Sequence, residues 1–442
     1  MKDFGKRLSE IRESWGKSQE EVANGLGVHH QTVSNWELGK STPNVIQLRD
    51  ICLYFRCSAD SLLRLPIENT NAQIEEGSGL KWRVTRPALA NLSRSKEIDD
   101  AIEVFRLIAK EKKGFLEIQE EPKFAGYGET KLRHLVKVAL FSTAIQLSDV
   151  ERNGDKEKKL LNLFRPNLRK CIVAKTTLVA DQLIDSTIRT EAVAFLAARD
   201  ALSSLPNIGD VGLTGGNTIA RFVDLLPPAS PDLRGITWVP ILVTREQERM
   251  ERTALSANSV ITRLLYNQPG AKGFRLPFLE VHRRSSEYLA NASDDEKGYI
   301  GAVHEVIDRA RKVSVAFLSI GTPEYEWQIT DAHMGLPPLN HIFQNLSPEE
   351  KEECVGDVLL TLVDKHGKRL GSQTSRQEND KLVYSIELNH LQKVARFGTV
   401  WVLAARSQPG KANVIRGALQ EGLINSLVID TTVADMLLAD PT

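Results

Sequence analysis

The 442-residue chain predicts two structural classes in series: a small all-α module with a helix-turn-helix pattern, then an α/β domain on a mostly parallel sheet. Three observations predict this. Residues 1–65 hold short stretches with apolar side chains at helical spacing, punctuated by glycines. From about Leu160 onward, short runs rich in Val, Ile and Leu alternate with amphipathic stretches of helical length. Strands that are apolar on both faces need a sheet covered on two sides.

The formal net charge is zero, so no global field draws the chain to nucleic acid or membrane, and any such contact must come from a local surface. The four cysteines, Cys52, Cys57, Cys171 and Cys354, have neither metal-ligand nor redox spacing and read as reduced packing residues. Neither a metal nor a cofactor is expected. No apolar run reaches the roughly 20 residues that span a bilayer, and the start MKDFGKRLSEIRESWGKS lacks the apolar centre of a secretion signal. A cytoplasmic location without a membrane partner is expected.

In the first 65 residues, Phe4, Leu8 and Ile11 give a first helix its buried stripe. Ser18 is placed to cap a second helix running through Val22 and Ala23, with Gly25 and Gly27 at its end and Val28 plugging the turn. A third short helix follows with Val33 and Trp36 inward, and Val45, Leu48, Cys52 and Phe55 extend the same core. Five short helices result, with the second helix of the pair free to enter a major groove.

The frame SQEEVA…LGV…TVSNWE.GK..P, within Phe4 to Leu63, resembles the Cro-type (XRE) helix-turn-helix family. The resemblance implies that Gln19 opens the helix that braces the DNA backbone and that His30, Gln31, Ser34 and Asn35 lie on the exposed side of the reading helix. Gln and Asn suit that role chemically, since each offers a donor and an acceptor to an adenine edge. Lys17 and Lys40 are candidate phosphate contacts. For each of these residues a merely solvated helix face is the other reading. One such module grips too little duplex at physiological salt, so a dimer or higher oligomer on a symmetric operator is expected.

Residues 66–79, PIENTNAQIEEGSG, are polar and short of apolar anchors and read as a linker. Residues 80–157 are the least legible. A helix with Ile102, Phe105 and Ile108 inward leads to a basic turn at Lys110, Lys112 and Lys113, then a short strand at Phe115 to Ile118. The run LRHLVKVALFST suggests another strand, and DVERNGDKEKK an exposed charged turn. Two readings stay open for this region, a degenerate winged helix and a helical connection.

Seven strands are expected further on: KCIVAK (170–175), DVGLTG (210–215), ITWVPILVT (236–244), VSVAFLSIG (313–321), DVLLTLVD (357–364), TVWVLAA (399–405) and SLVID (426–430). Ligands on such sheets sit beyond the carboxyl ends of the strands. There lies GLTGGNTIARF (212–222), whose Ile219, Phe222, Val223 and Leu226 give the following helix a buried stripe. Helix N-termini collect anions, because their first amides lack partners and the macrodipole is positive there. A plain strand-to-helix turn that needs glycine is the alternative.

The ordered motifs LFRPNLRKCIVA, GLTGGNTIARFV, ALSANSVITRLL, FRLPF, VAFLSIGTP, VGDVLLTLVDKHGKRL and GKANVIRGALQEGLINSLVIDTTVADMLL resemble the effector domain of SorC-type sugar-binding transcriptional regulators. The resemblance places that domain at 158–442 and implies a Rossmann-like sheet related to sugar-phosphate isomerases, a phosphorylated-sugar ligand and a tetramer. It makes Gly216, Asn217 and Thr218 the phosphate loop, and Asp357 an acceptor for sugar hydroxyls, with a capping role as the alternative. Ser256 is a weaker candidate of the same kind. Lys411 agrees on physical grounds, since a lysine opening a helix is disfavoured by the dipole unless an anion is near; a side chain pointing into water is the other reading. The family's G-G-x-x-K is here ARSQPGK, a longer loop carrying Arg406, which leaves a larger, more acidic or nucleotide-type ligand open. The expected function is a DNA-binding regulator controlled by a small anionic metabolite, and not an enzyme. An isomerase using Asp357, His304 or His333 as base, and a DNA-bound scaffold, are the rivals.

Overall fold

The computed structural model describes residues 2–14, 17–26, 28–43, 47, 51, 55, 73–75, 80–84, 95–109, 111, 113–141, 145–176, 182–201, 205–207, 209–226, 233–244, 256–268, 271–274, 294–322, 343–371, 383–405 and 409–439. Val45, Leu48, Cys52, Cys57, Lys110, Lys112, His333 and Arg406 lie outside them. The chain forms two compact units, one of residues 1–73, 83–107 and 115–146, the other of 74–82, 108–114 and 147–442.

The first unit opens with helices α1 (Lys2–Ser14), α2 (Gln19–Leu26) and α3 (His30–Glu37). Phe4, Leu8, Val22, Ala23, Val33 and Trp36 bury together with Ile51 and Phe55, and Val28 packs against them. The start of α2 is fixed reciprocally: the Glu21 amide donates to Ser18 Oγ at 3.1 Å, and the Ser18 amide donates to Glu21 Oε2 at 2.8 Å. Of the five expected helices, three are described in full, and residues 47, 51 and 55 are helical.

Helices α4 (Ser95–Ala109), α5 (Phe115–Gln119) and α6 (Glu129–Phe141) follow. Two expectations fail here. Residues 115–118 are helical, not a strand: Ile118 is buried and Leu116 is 79% exposed, which suits a helix end and not a half-buried strand. LRHLVKVALF is helical too, because Leu132, Leu135, Val136 and Ala139 bury at i, i+3, i+4 and i+7. Strands β1 (Gln73–Glu75), β2 (Leu80–Val84) and β3 (Ile145–Val150) form a three-stranded sheet, so the stretch read as a linker contains a strand. The expected charged turn is shorter than anticipated, since Asn153 accepts from the Lys156 amide and starts helix α7 (Gly154–Leu163).

The second unit is built on strands β4 (Lys170–Ala174), β5 (Gly209–Leu213), β6 (Ile236–Pro240), β7 (Leu242–Thr244), β8 (Lys272–Gly273) and β9 (Val315–Leu318). The series continues with β10 (Ile320–Gly321), β11 (Cys354–Val358), β12 (Thr361–Asp364), β13 (Val383–Ser385), β14 (Thr399–Ala404) and β15 (Ser426–Asp430). Seven of them form one sheet in the order β4-β15-β14-β9-β5-β6-β8, and every pairing in it is parallel. Helices α8 (Gln182–Asp200), α9 (Asn217–Asp224), α10 (Ala257–Asn267), α11 (Asp294–Ala310), α12 (Pro348–Glu353), α13 (Leu388–Phe397), α14 (Pro409–Gln420) and α15 (Thr431–Leu438) connect the strands. Both faces are covered: Phe317 stacks on Phe222 of α9 at 4.8 Å, while Ala316 and Leu318 join a core with Ile307, Val394 and Ile415.

Three expected strands are each divided. VSVAFLSIG breaks at Ser319 into β9, which stays in the large sheet, and β10, which pairs with β11 instead. ITWVPILVT breaks at Ile241 into β6 and β7, and β7 leaves the sheet to pair with β13. DVLLTLVD is not one strand but the two arms of an antiparallel hairpin, β11 and β12. Its turn is Leu359 and Leu360, both at positive φ (54° and 56°), a reversal that no Gly or Asn announces.

Candidate functional site

The reading helix α3 is held from behind. Arg12 of α1 donates to both carboxylate oxygens of Glu37, at 2.7 and 3.0 Å, and Gln19 donates its side-chain amide to Glu37 Oε2 at 2.7 Å. Gly5 lets α1 and α3 touch, because a Cβ there would lie 2.3 Å from the Glu37 carbonyl oxygen. With Val33 and Trp36 inward, His30 and Gln31 are exposed, Ser34 and Asn35 are partly exposed, and Gln31 Nε2 donates to Asn35 Oδ1 at 3.3 Å. Lys40 is exposed, and Lys17 pairs with Glu21 at 3.1 Å. The four expected reading residues therefore share one outward face, while Gln19 is tied to the scaffold. The sequence reading missed His29, whose ring accepts from the Gln31 amide as N-cap of α3 and lies 4.7 Å from the His30 ring.

In the second unit, Gly216 caps α9 at φ 106° and ψ 158°, without a side-chain hydrogen bond. That backbone region is essentially glycine-only. Among the described residues no group accepts from the main-chain amides of Asn217 and Thr218, which open the helix with the positive end of its dipole. Asn217 is exposed and Thr218 partly so. The loop before them is pinned to the segment after β9: Ser319 Oγ donates to the Gly215 carbonyl at 2.7 Å, and the Ser319 amide donates to Thr214 Oγ1 at 3.0 Å.

The same segment reaches the start of α14. A Cβ on Gly410 would lie 3.2 Å from the Thr322 methyl group, and Thr322 is fully buried. Pro409 begins α14 where its missing N–H costs nothing. Lys411 is partly buried and donates to the Ala405 carbonyl at 3.4 Å, so its ammonium folds back over the end of β14. Only β9 separates β5 from β14 in the sheet, which sets their carboxyl ends two inter-strand spacings apart, about 10 Å. Ser319 to Thr322 thus touches both loops and brings the 214–218 turn and Lys411 to one edge.

Asp357 and Ser256 both have structural duties. Asp357 is buried on β11 beside Gly321, and its Oδ2 accepts from the Leu360 amide at 3.1 Å, holding the left-handed turn. Ser256 caps α10 by accepting from the Ser259 amide. Helix α9 itself is clamped by Arg221, which donates to the buried Glu191 of α8 at 2.8 Å, and by Asp224, which pairs with Arg263 of α10. At the far end of the same edge the buried Arg189 joins Asp185 and Asp430 to Thr176 and Thr432.

Burial pushes the thiols of Cys171 and Cys354 up to about 12, so both stay protonated packing groups. Among the described residues no cluster of His, Cys, Asp and Glu is placed to hold a metal, and no helix is long and apolar enough to cross a membrane. His304 is exposed on α11.

Comparison with known proteins gives two domain matches. Residues 8–62 match the family described as "Helix-turn-helix" (HTH_3), and residues 286–439 match the family described as "Putative sugar-binding domain". One chain thus carries a helix-turn-helix match ahead of a sugar-binding-domain match. The chain is 34% identical over 79 residues to the HTH-type transcriptional activator BcrR of Enterococcus faecalis, covering 18% of this chain and 39% of that protein. It is 35% identical over 72 residues to the SPbeta prophage-derived uncharacterized HTH-type transcriptional regulator YonR of Bacillus subtilis (strain 168), covering 16% of this chain and 63% of that protein. The chain therefore spans less than two thirds of the length of either curated relative. The full-length sorbitol operon regulator SorC from Klebsiella pneumoniae is 18% identical, with 78% of this chain and 100% of that chain covered and a TM-score of 0.49. That likeness fixes no ligand and no assembly. Both curated relatives carry names of transcriptional regulators.

Proposed function

We propose that the chain is a transcription regulator that reads duplex DNA with α3 and whose operator binding is controlled by a phosphorylated sugar or similar anionic metabolite at the carboxyl edge of the parallel sheet. The observation that carries this reading is the Ser319–Thr322 segment, which tethers both the Gly216 loop and the start of α14. The amides of residues 216–218, the Thr218 hydroxyl and the Lys411 ammonium then face a single anion. Ser256 and Asp357 act as positioning residues through the caps they make. On the DNA side, His30, Gln31, Ser34 and Asn35 reach base edges, while Lys17, Lys40 and the α2 end at Gln19 address the phosphate backbone. A single reading helix of eight residues covers one half-site, so a dimer or tetramer on a symmetric operator fits this reading.

Coupling needs the ligand to prefer one arrangement of subunits by a few kcal/mol. The test is reciprocal. Replacing Gln31 and Asn35 with alanine abolishes sequence preference in DNA binding, at about 1–3 kcal/mol per base contact, and leaves sugar-phosphate binding intact. Replacing Thr218 and Lys411 does the reverse. Equal loss of both activities in both variants contradicts the proposed division of labour.

A further inference from the structure

Helix α8 packs against α9, β4 and β15, and its middle turns are buried and rich in alanine: Ala192, Ala194, Ala197 and Ala198 all lie within the core. Alanine has no rotamers to reset, so a push on one side of such a helix moves it as a body and is not absorbed by its side chains. Two ionic junctions sit on α8, at Glu191 and Arg199, two turns or about 12 Å apart along the axis. At the first, the buried Glu191 carboxylate accepts from Arg221 at 2.8 Å. Arg221 lies one turn beyond Thr218 on α9, the helix that opens at the 216–218 turn. A buried carboxylate that loses its cation is costly, so when the first turn of α9 shifts, Glu191 follows Arg221.

At the second junction, Arg199 donates to Asp149 Oδ1 at 2.9 Å and to the Val150 carbonyl at 3.2 Å. The neighbouring Asp200 accepts from Arg152 at 3.4 Å, and Arg152 is held by Glu157 of α7 at 2.7 and 2.9 Å. Asp149 and Val150 end β3, the strand in which the chain makes its last passage from the first unit, residues 145–146, into the second, residues 147–150. Arg199 and Asp149 are both well exposed, and an exposed pair adds little to stability. What the junction does fix is the position of the end of β3 relative to α8. One helix therefore touches both the element that opens at the anion site and the strand that leads from the unit containing α3.

We propose that α8 is the coupling element of the regulator: an anion drawn into the 216–218 turn shifts α9, the Glu191–Arg221 pair carries the shift to α8, and Arg199 delivers it to the end of β3. The inference rests on the anion site proposed above and adds the route by which its occupancy leaves the sheet. Glu191 and Arg199 are positioning residues, acting through Arg221 and Asp149. Hydrogen exchange of the full chain with and without saturating inorganic phosphate tests it, with phosphate affinity measured by titration calorimetry. In wild type, phosphate slows exchange at residues 216–222 and changes it by more than about twofold at 145–152. In Arg199→Gln, phosphate affinity stays within about twofold of wild type and residues 216–222 still respond, while 145–152 no longer do. Arg199→Lys, which keeps the charge, retains the distant response. Glu191→Gln interrupts the route earlier, silencing 192–200 as well as 145–152. A wild-type chain protected at 216–222 but unchanged at 145–152 overturns the proposal, as does a response at 145–152 that survives Arg199→Gln. Loss of phosphate affinity in Arg199→Gln overturns it too, because the residue is then structural only. Absence of protection at 216–222 in wild type removes the anion site itself, and the route with it.

Discussion

Gly216→Ala is the substitution whose consequence the structure sets most closely. The backbone at φ 106° and ψ 158° lies in a region that other residues enter at a cost of order 1–3 kcal/mol. The new Cβ would also stand 2.8 Å from Ser319 Oγ and 3.1 Å from Ser319 Cβ. Ser319 cannot step aside freely, since its hydroxyl and amide both hold the loop, and loosening one such bond costs about 0.5–1.5 kcal/mol. The two effects together amount to about 2–4 kcal/mol. That is less than the roughly 5–15 kcal/mol of a folded domain, so the loop rearranges before the unit unfolds. Denaturant unfolding reads the lost stability, hydrogen exchange at the amides of residues 214–220 locates it, and inorganic phosphate serves as the binding probe. Adding Ser319→Ala to Gly216→Ala relieves the hydroxyl clash but removes the Ser319–Gly215 hydrogen bond outright and leaves the backbone strain, so the double variant is about as stable as the single. A Gly216→Ala chain with unchanged unfolding midpoint, exchange and phosphate binding refutes the reasoning.

Three further outcomes follow from other parts of the structure. In Gly5→Ala the Cβ meets backbone oxygens of Glu37 and Trp36 at 2.3 and 2.5 Å, so α1 is driven off α3; circular dichroism shows lost helix and a mobility shift shows lost DNA binding, whereas wild-type behaviour in both contradicts the close packing. The Glu21 carboxyl is held down to about 2 from 4.5 by the Ser18 amide first, then by Lys17 and the Ser18 hydroxyl. Because the folded value is depressed, the cap's contribution is complete above the ordinary carboxylate range and disappears as pH falls toward 2; a carbon-detected NMR titration of Glu21 with a midpoint near 4.5 would be inconsistent with the cap. In Leu360→Gly, relief of the left-handed backbone returns about 1–2 kcal/mol, but removal of a buried leucine side chain costs about 2–5 kcal/mol. The variant is therefore less stable in denaturant unfolding, and a stabilised variant would show that strain outweighs burial at this turn.

The parallel sheet was legible because its strands are apolar on both faces and separated by helix-length amphipathic stretches. KCIVA and SLVID read correctly for that reason. LRHLVKVALF read as a strand, yet the buried set Leu132, Leu135, Val136 and Ala139 has helical spacing. The turn at Leu359 and Leu360 carried no turn residue and owes its shape to Asp357 and to the burial of both leucines. At the candidate site the glycine loop and Lys411 were visible locally. Their lying at one edge of the sheet was not, because it depends on β9 lying between β5 and β14, and strand order is not written in any local pattern. His29 was passed over because histidine is not among the favoured N-caps.

The central claim is that the sheet's carboxyl edge holds a phosphate. Isothermal titration of the full chain with a panel of sugar phosphates, each beside its unphosphorylated counterpart, tests it most directly. The account predicts that a phosphorylated sugar binds and that its neutral counterpart binds more than tenfold more weakly, since each charge-assisted bond contributes about 1.5–3 kcal/mol, with Lys411→Met removing much of the difference. Equal affinity for the two members of every pair, or a difference that survives Lys411→Met unchanged, would contradict it.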